Sequence, residues 1–147
     1  MAHQFKIERQ VEFSDTDMAG IVHFSRFFQY MEAVEHAFYR SLGFSVHFKE
    51  GNRHIGFPRV DAQCSYKAPL RFEDQIEIHL QVQRKTQKSI TYDIAFNKLV
   101  TTDKLEVARG KLIVACVEFE PGQSMIQSIA IPQNISDLIE VAPLYSK

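Results

Sequence analysis

Phe24-Ser25-Arg26-Phe27-Phe28-Gln29-Tyr30-Met31-Glu32-Ala33-Val34-Glu35-His36-Ala37-Phe38-Tyr39-Arg40-Ser41-Leu42-Gly43 is the stretch on which the fold turns. Its apolar residues fall at 24, 27, 28, 31, 34, 38 and 42, the spacing that lines one face of an α-helix. Ser25 is placed to cap the start, because a serine hydroxyl accepts from an orphan backbone N–H. Gly43, directly after Leu42, supplies a left-handed stop. A helix of about 18 residues runs about 27 Å, long enough to cross a small sheet.

On both sides of this segment the period drops to two. Phe5, Ile7, Val11 and Phe13 predict a half-buried strand over 5–13, followed by a polar turn from Ser14 to Gly20. Residues 44–58, with Gly51, Gly56, Pro58 and several charges, read as a loop with room for a turn of helix. Three alternating runs then follow. Val60, Ala62, Cys64, Tyr66 and Ala68 share one parity up to Pro69; Ile76, Ile78, Leu80 and Val82 form the next; Ile90, Tyr92, Ile94 and Phe96 the third. After a turn at Thr101–Lys104, a last strand is expected over Leu105–Phe119, with a bulge at Gly110 and an end at Pro121-Gly122. A short helix is expected over Asn134–Val141.

Strand, long helix, then strands joined by short turns imply an antiparallel sheet with the helix packed on one face. The fold class is α+β: a five-stranded antiparallel sheet wrapped around one long helix. The expectation is a single domain over 1–147, with its core at about 5–120 and a tail at 121–147. Such a sheet leaves edges and a face to be covered, which predicts a homo-oligomer.

A chain of 147 residues can bury roughly 70% of its unfolded surface, so no disulfide or metal staple is required. The 17 basic and 18 acidic residues give a net charge of −1, which argues against a nucleic-acid partner. No run of 18 apolar residues occurs, and the opening Met1-Ala2-His3-Gln4-Phe5-Lys6 lacks the apolar core of a signal peptide. The expectation is a soluble, cytoplasmic chain with no membrane partner. Cys64 and Cys116, each in an apolar run, read as buried thiols in a reducing compartment.

The chemistry concentrates in Asp15-Thr16-Asp17-Met18-Ala19-Gly20-Ile21-Val22-His23-Phe24, where two carboxylates sit between a strand end and a helix start. One of them could cap the turn or the helix. A calcium loop fails, because its fifth position is Ala19 and its twelfth is Arg26, where a bidentate glutamate is required. A transition-metal site fails too, since His3 and His23 have no partners at ligand spacing. Phosphate-binding glycine loops, nucleophile elbows and paired cysteines are all missing.

Asp15 to Val22 resembles the D-x-D-x-x-G-x-V signature of the hotdog-fold 4-hydroxybenzoyl-CoA thioesterase family. It runs on into an aromatic-rich helix with Phe24, Phe27, Phe28, Tyr30 and Glu32. The likeness covers roughly residues 5–120. It implies an enzyme that hydrolyses an acyl-CoA thioester to free acid and CoA, as a homotetramer or homodimer, with no metal and no organic cofactor. By this resemblance Asp17 is the reacting carboxylate, as nucleophile or general base, and Asp15 supports the turn. The oxyanion needs preorganised donors, and the helix start offers the backbone amides of His23 and Phe24. Gly20 lets the backbone turn closely there.

The His23 side chain lines the pocket or forms an acid–base dyad with Asp17. Tyr30 is expected to pack, and Glu32 to form an ion pair at a subunit contact. CoA phosphates call for a local basic cluster, supplied by Arg84, Lys85, Lys88 and the neighbouring Ser89 at a strand turn, unless these form a solvated hairpin tip. Lys67 and Arg71 are weaker candidates, and the loop carrying His47, Arg53, His54 and Phe57 is a candidate wall of the acyl pocket. Two other activities compete: an enoyl-CoA hydratase or dehydratase using His23 with Asp17, and a non-catalytic acyl-CoA-binding module.

Overall fold

In the computed structural model, which describes residues 1–146, the helical period becomes α1 (Arg26–Ser41), 16 residues long. Lys147, the end of the expected tail, lies outside the described residues. Phe27, Met31, Val34 and Phe38 form the buried stripe of α1. Each contributes about 1.5–3 kcal/mol relative to exposure. Gly43, at φ +93°, ends the helix as expected.

The stripe of α1 lies on a five-stranded antiparallel sheet in the order β1-β5-β6-β7-β4. Its members are β1 (Gln4–Gln10), β4 (Arg59–Tyr66), β5 (Gln75–Lys85), β6 (Ser89–Val100) and β7 (Asp103–Ala115). Alternation places Ile76, Ile78, Leu80 and Val82 of β5 and Ile90, Tyr92, Ile94 and Phe96 of β6 against the helix, all buried. The helix meets β1 and β5 on one side and β7 and β4 on the other. The expected five-stranded sheet around one helix is therefore the architecture found.

The structure departs from expectation where local pattern is weak. β1 stops at Gln10, and Phe13–Asp15 forms a 3-10 turn, so Phe13 leaves the core and packs edge-on against Phe72 at 5.9 Å. The 44–58 stretch is not a loop. It holds a hairpin of β2 (His47–Glu50) and β3 (Arg53–Gly56), turned at Gly51. The long last strand breaks at Cys116, whose N–H bonds to Lys88 and whose carbonyl accepts from Ile129. Beyond the break, β8 (Val117–Phe119) and β9 (Ile126–Ser128) join the hairpin in a second sheet, β2-β3-β8-β9. The expected helix at 134–141 is the shorter α2 (Gln133–Ser136).

Gly110 is not the bulge. The register slips opposite Phe96/Asn97 instead, and Gly110 packs tightly against α1: a Cβ there would lie 2.3 Å from the Met31 sulfur. Val60 and Tyr66, which share one parity in the sequence, are 62% and 45% exposed: Val60 falls at a register slip between Arg59 and Asp61, and β4 is a sheet edge in a single copy. The tail is tied back to the sheet. Ala2 donates to Leu138 and Ala142 to Val82, and Ile131, Ile135 and Ile139 enter the core.

Candidate active site

The turn between β1 and α1 is fixed by hydrogen bonds that its sequence supplies. Asp15 and Glu12 cap each other: the Glu12 N–H donates to Asp15 Oδ2 at 2.9 Å, and the Asp15 N–H to the Glu12 carbonyl at 3.0 Å. Residues Asp17–Gly20 then make a tight turn, with the Gly20 N–H on the Asp17 carbonyl and the Asp17 N–H on Ile21. Gly20 stands at φ +82°, a conformation that favours glycine over residues with a Cβ. Asp17 Oδ1 accepts from the Ala19 N–H at 2.8 Å, while Oδ2 has no partner among the described residues.

The start of α1 separates the two amides expected to serve an oxyanion. The His23 N–H donates to the Asp15 carbonyl at 2.8 Å and is therefore spent, which removes it from that role. The Phe24 N–H takes no partner among the described residues. Ser25 stands at the N-cap position but does not cap. Its hydroxyl pairs with His23 Nδ1 at 2.7 Å instead.

Asp17 and Phe24 line one cavity of about 540 Å³, within the range of small-molecule pockets. Its walls are mainly apolar, with Ile21, Val22, Phe27 and Leu70 closing it and Tyr66 at its side. The Tyr66 hydroxyl donates to the Phe24 carbonyl at 2.9 Å, and its ring stands edge-on to Phe27 at 5.1 Å. Burial, with Cys64 nearby, pushes that hydroxyl up to about 12, so it stays a donor. Lys67 reaches the rim but is ion-paired with Glu106. A smaller polar cavity of about 300 Å³ lies against Asp17 as well, lined by Thr16, His23, Ser25 and Arg26.

The other predicted residues lie elsewhere. Asp17 sits against the start of β5, since Val22 bonds to Leu70 and Val11 to Asp74. Arg84, Lys85, Lys88 and Ser89 lie at or beyond its opposite end, about 33 Å along the strand. Lys85 is further committed, its ammonium donating to the carbonyls of Ser136 at 2.8 Å and Ile139 at 2.7 Å. Ser89 closes the hairpin through the Thr86 hydroxyl at 2.6 Å. One copy thus does not bring this cluster to the Asp17 cavity. Nor does the 44–58 stretch line it: His47 and His54 stack with Phe119, Arg53 pairs with Glu118 at 3.2 Å, and Phe57 packs on Tyr39.

Tyr30 is buried packing, as expected, with the Arg9 guanidinium over its ring at 5.7 Å. Burial foremost, then Asp15, raises its hydroxyl pKa. Glu32 does form an ion pair, with Arg59 of its own chain at 3.5 Å. Deeper in α1, Glu35 is fully buried, bonded to Arg59 at 2.5 Å and Tyr39 at 3.1 Å, with Tyr92 bonded to Tyr39 at 3.0 Å. Burial outweighs the pull of Arg59 and lifts the Glu35 carboxyl to about 7. Sequence reasoning missed both Tyr66 and Glu35. The signals available were a polar hydroxyl at a core-parity strand position and a glutamate on the apolar stripe of a helix.

Comparison with known proteins bears on this site. The family model of the Thioesterase-like superfamily matches residues 11–139. A provisionally named esterase of Aquifex aeolicus (strain VF5) is 34% identical over 116 residues, covering 74% of this chain and 89% of its own length. A 1,4-dihydroxy-2-naphthoyl-CoA hydrolase of Parasynechococcus marenigrum (strain WH8102) is 34% identical over 89 residues, covering 56% of this chain and 59% of its own. Among solved structures, a mutant 4-hydroxybenzoyl-CoA thioesterase complexed with 4-hydroxybenzoyl-CoA superposes with a TM-score of 0.81. At 19% identity, over 93% of this chain and 99% of that one, it shows a shared fold.

Proposed function

The chain belongs to the Thioesterase-like superfamily, and on that footing we propose that it hydrolyses the thioester bond of an acyl-CoA to the free acid and CoA. The observation that carries the reading is that one mainly apolar cavity is lined by both Asp17 and Phe24, whose N–H has no partner among the described residues. Asp17 Oδ2 acts as general base, taking a proton from water as the water oxygen attacks the thioester carbonyl. As nucleophile, the same oxygen would attack directly and form an anhydride that water then opens. In either course the carbonyl oxygen gains negative charge and the Phe24 N–H receives it, aided by the start of α1. Collapse of the tetrahedral carbon breaks the C–S bond, and CoA leaves as thiolate. Asp15 and Gly20 hold the turn that aims Asp17.

The test is thiol release from a panel of aliphatic and aromatic acyl-CoA esters. Steady release supports the hydrolase, whereas tight binding without release favours a binding module. Loss of enoyl absorbance without thiol favours a hydratase. Single turnover in oxygen-labelled water bears on the two roles of Asp17: label goes only to the acid if Asp17 is a base, and label found in the Asp17 carboxylate marks a nucleophile whose anhydride water opens at the Asp17 carbonyl. The same reading has the chain working as a homodimer or homotetramer, with the bare β4 edge as contact surface. It places Arg84 and Lys88 at a CoA molecule only across such a contact.

A further inference from the structure

We propose that Tyr66 is a positioning residue for the hydrolysis, holding the Phe24 backbone so that its N–H faces the reacting carbonyl. This deepens the thioesterase reading and rests on it. The Phe24 N–H belongs to the peptide group whose carbonyl is that of His23. That carbonyl accepts from the Arg26 N–H at 2.9 Å, so it points into the helix. Trans planarity then aims the Phe24 N–H the opposite way, out of the helix start. This bond fixes one side of residue 24. The other side, the Phe24 carbonyl, is held by the Tyr66 hydroxyl at 2.9 Å.

Tyr66 comes from β4, 42 residues along the chain, so its bond ties the helix start to the sheet. No side chain caps α1 to do the same, because the Ser25 hydroxyl is turned to His23. The Tyr66 ring is braced edge-on against the buried Phe27, and both rings line the cavity. The hydroxyl therefore has a defined place from which to hold residue 24. An oxyanion donor is effective only when held at its position before the charge develops.

The experiment uses the full chain with benzoyl-CoA and a medium-chain acyl-CoA, read by thiol release. Tyr66→Phe deletes one oxygen and keeps the ring and its packing. We expect kcat to fall about 10-fold or more, since small misplacements of reacting groups cost that order. KM should stay within about twofold, and the thermal midpoint should hold. An unchanged kcat overturns the inference, as does a raised KM with kcat intact, which would make Tyr66 a mere wall. A second readout is the infrared carbonyl stretch of benzoyl-CoA bound to Asp17→Asn. It should lie below the free value and return toward it when Tyr66→Phe is added, and an identical band in both proteins also overturns the inference. A wild-type protein that releases no thiol defeats the thioesterase reading itself, a result distinct from any of these.

Discussion

In the proposed mechanism Asp17 and Phe24 divide the chemistry between a side chain and a backbone amide, and mutation reaches them differently. Asp17→Asn keeps the Oδ1 acceptor for the Ala19 N–H and so keeps the turn, while removing the base. Thiol release should drop about 100-fold or more with circular dichroism unchanged. Asp15→Asn weakens the reciprocal bonds with Glu12 and should lower the thermal midpoint more than it lowers kcat. Glu35 makes stability depend on pH. Its native pKa of about 7 lies above the ordinary 4.5, so between these values the folded protein holds a proton that the unfolded chain has lost. The stability due to this group is full below about 4.5 and is lost as pH rises through about 7. Melting curves from acid to mildly alkaline pH should show that decline in the wild type and a flatter profile in Glu35→Gln. That Asp17 lines a cavity at the start of α1 was legible because its motif is contiguous. Tyr66 was not, because its partner stands 42 residues away and its parity resembled that of a core residue.

The elements read best where one period persists. α1 and strands β5 and β6 repeat their apolar residues long enough to be recognised, and α1 gives the cavity Phe27, with Phe96 of β6 packed edge-on against it. β2 and β3, four residues each, are too short to show alternation, and only pairing with each other and β8 defines them. Gly110 carried a true signal with the wrong cause: the glycine makes room for Met31, not for a bulge. Gly110→Ala should therefore destabilise by about 1–3 kcal/mol through overpacking, measured by urea unfolding, and shortening Met31 to Val should restore part of it. Lys85 taught the opposite lesson. A basic residue near a hairpin resembles a phosphate ligand until the tail is seen to occupy it. Lys85→Ala should lower the melting temperature, freeing two carbonyls from their charged donor, and leave KM for acyl-CoA unchanged.

At the scale of the molecule, one copy leaves β4 as an edge with Val60 and Tyr66 open to solvent, and natural sheets protect such edges. Self-association through that edge should appear in light scattering as a mass above one chain, and Val60→Lys should reduce it. Periodicity could place β4 in the sheet but could not show which strand would be outermost, since that depends on how distant segments pair. On the proposed function, the make-up of the cavity also bears on the departure of product. Its walls are hydrocarbon, Asp17 stands at its margin, and the one lysine on its rim is already neutralised by Glu106. A product acid that ionises there meets mainly apolar walls and finds no unpaired cation among the lining residues. Such a cavity offers an anionic product little to hold it. Accumulating free acid should then be a feeble competitor of the ester, read as weak product inhibition of thiol release.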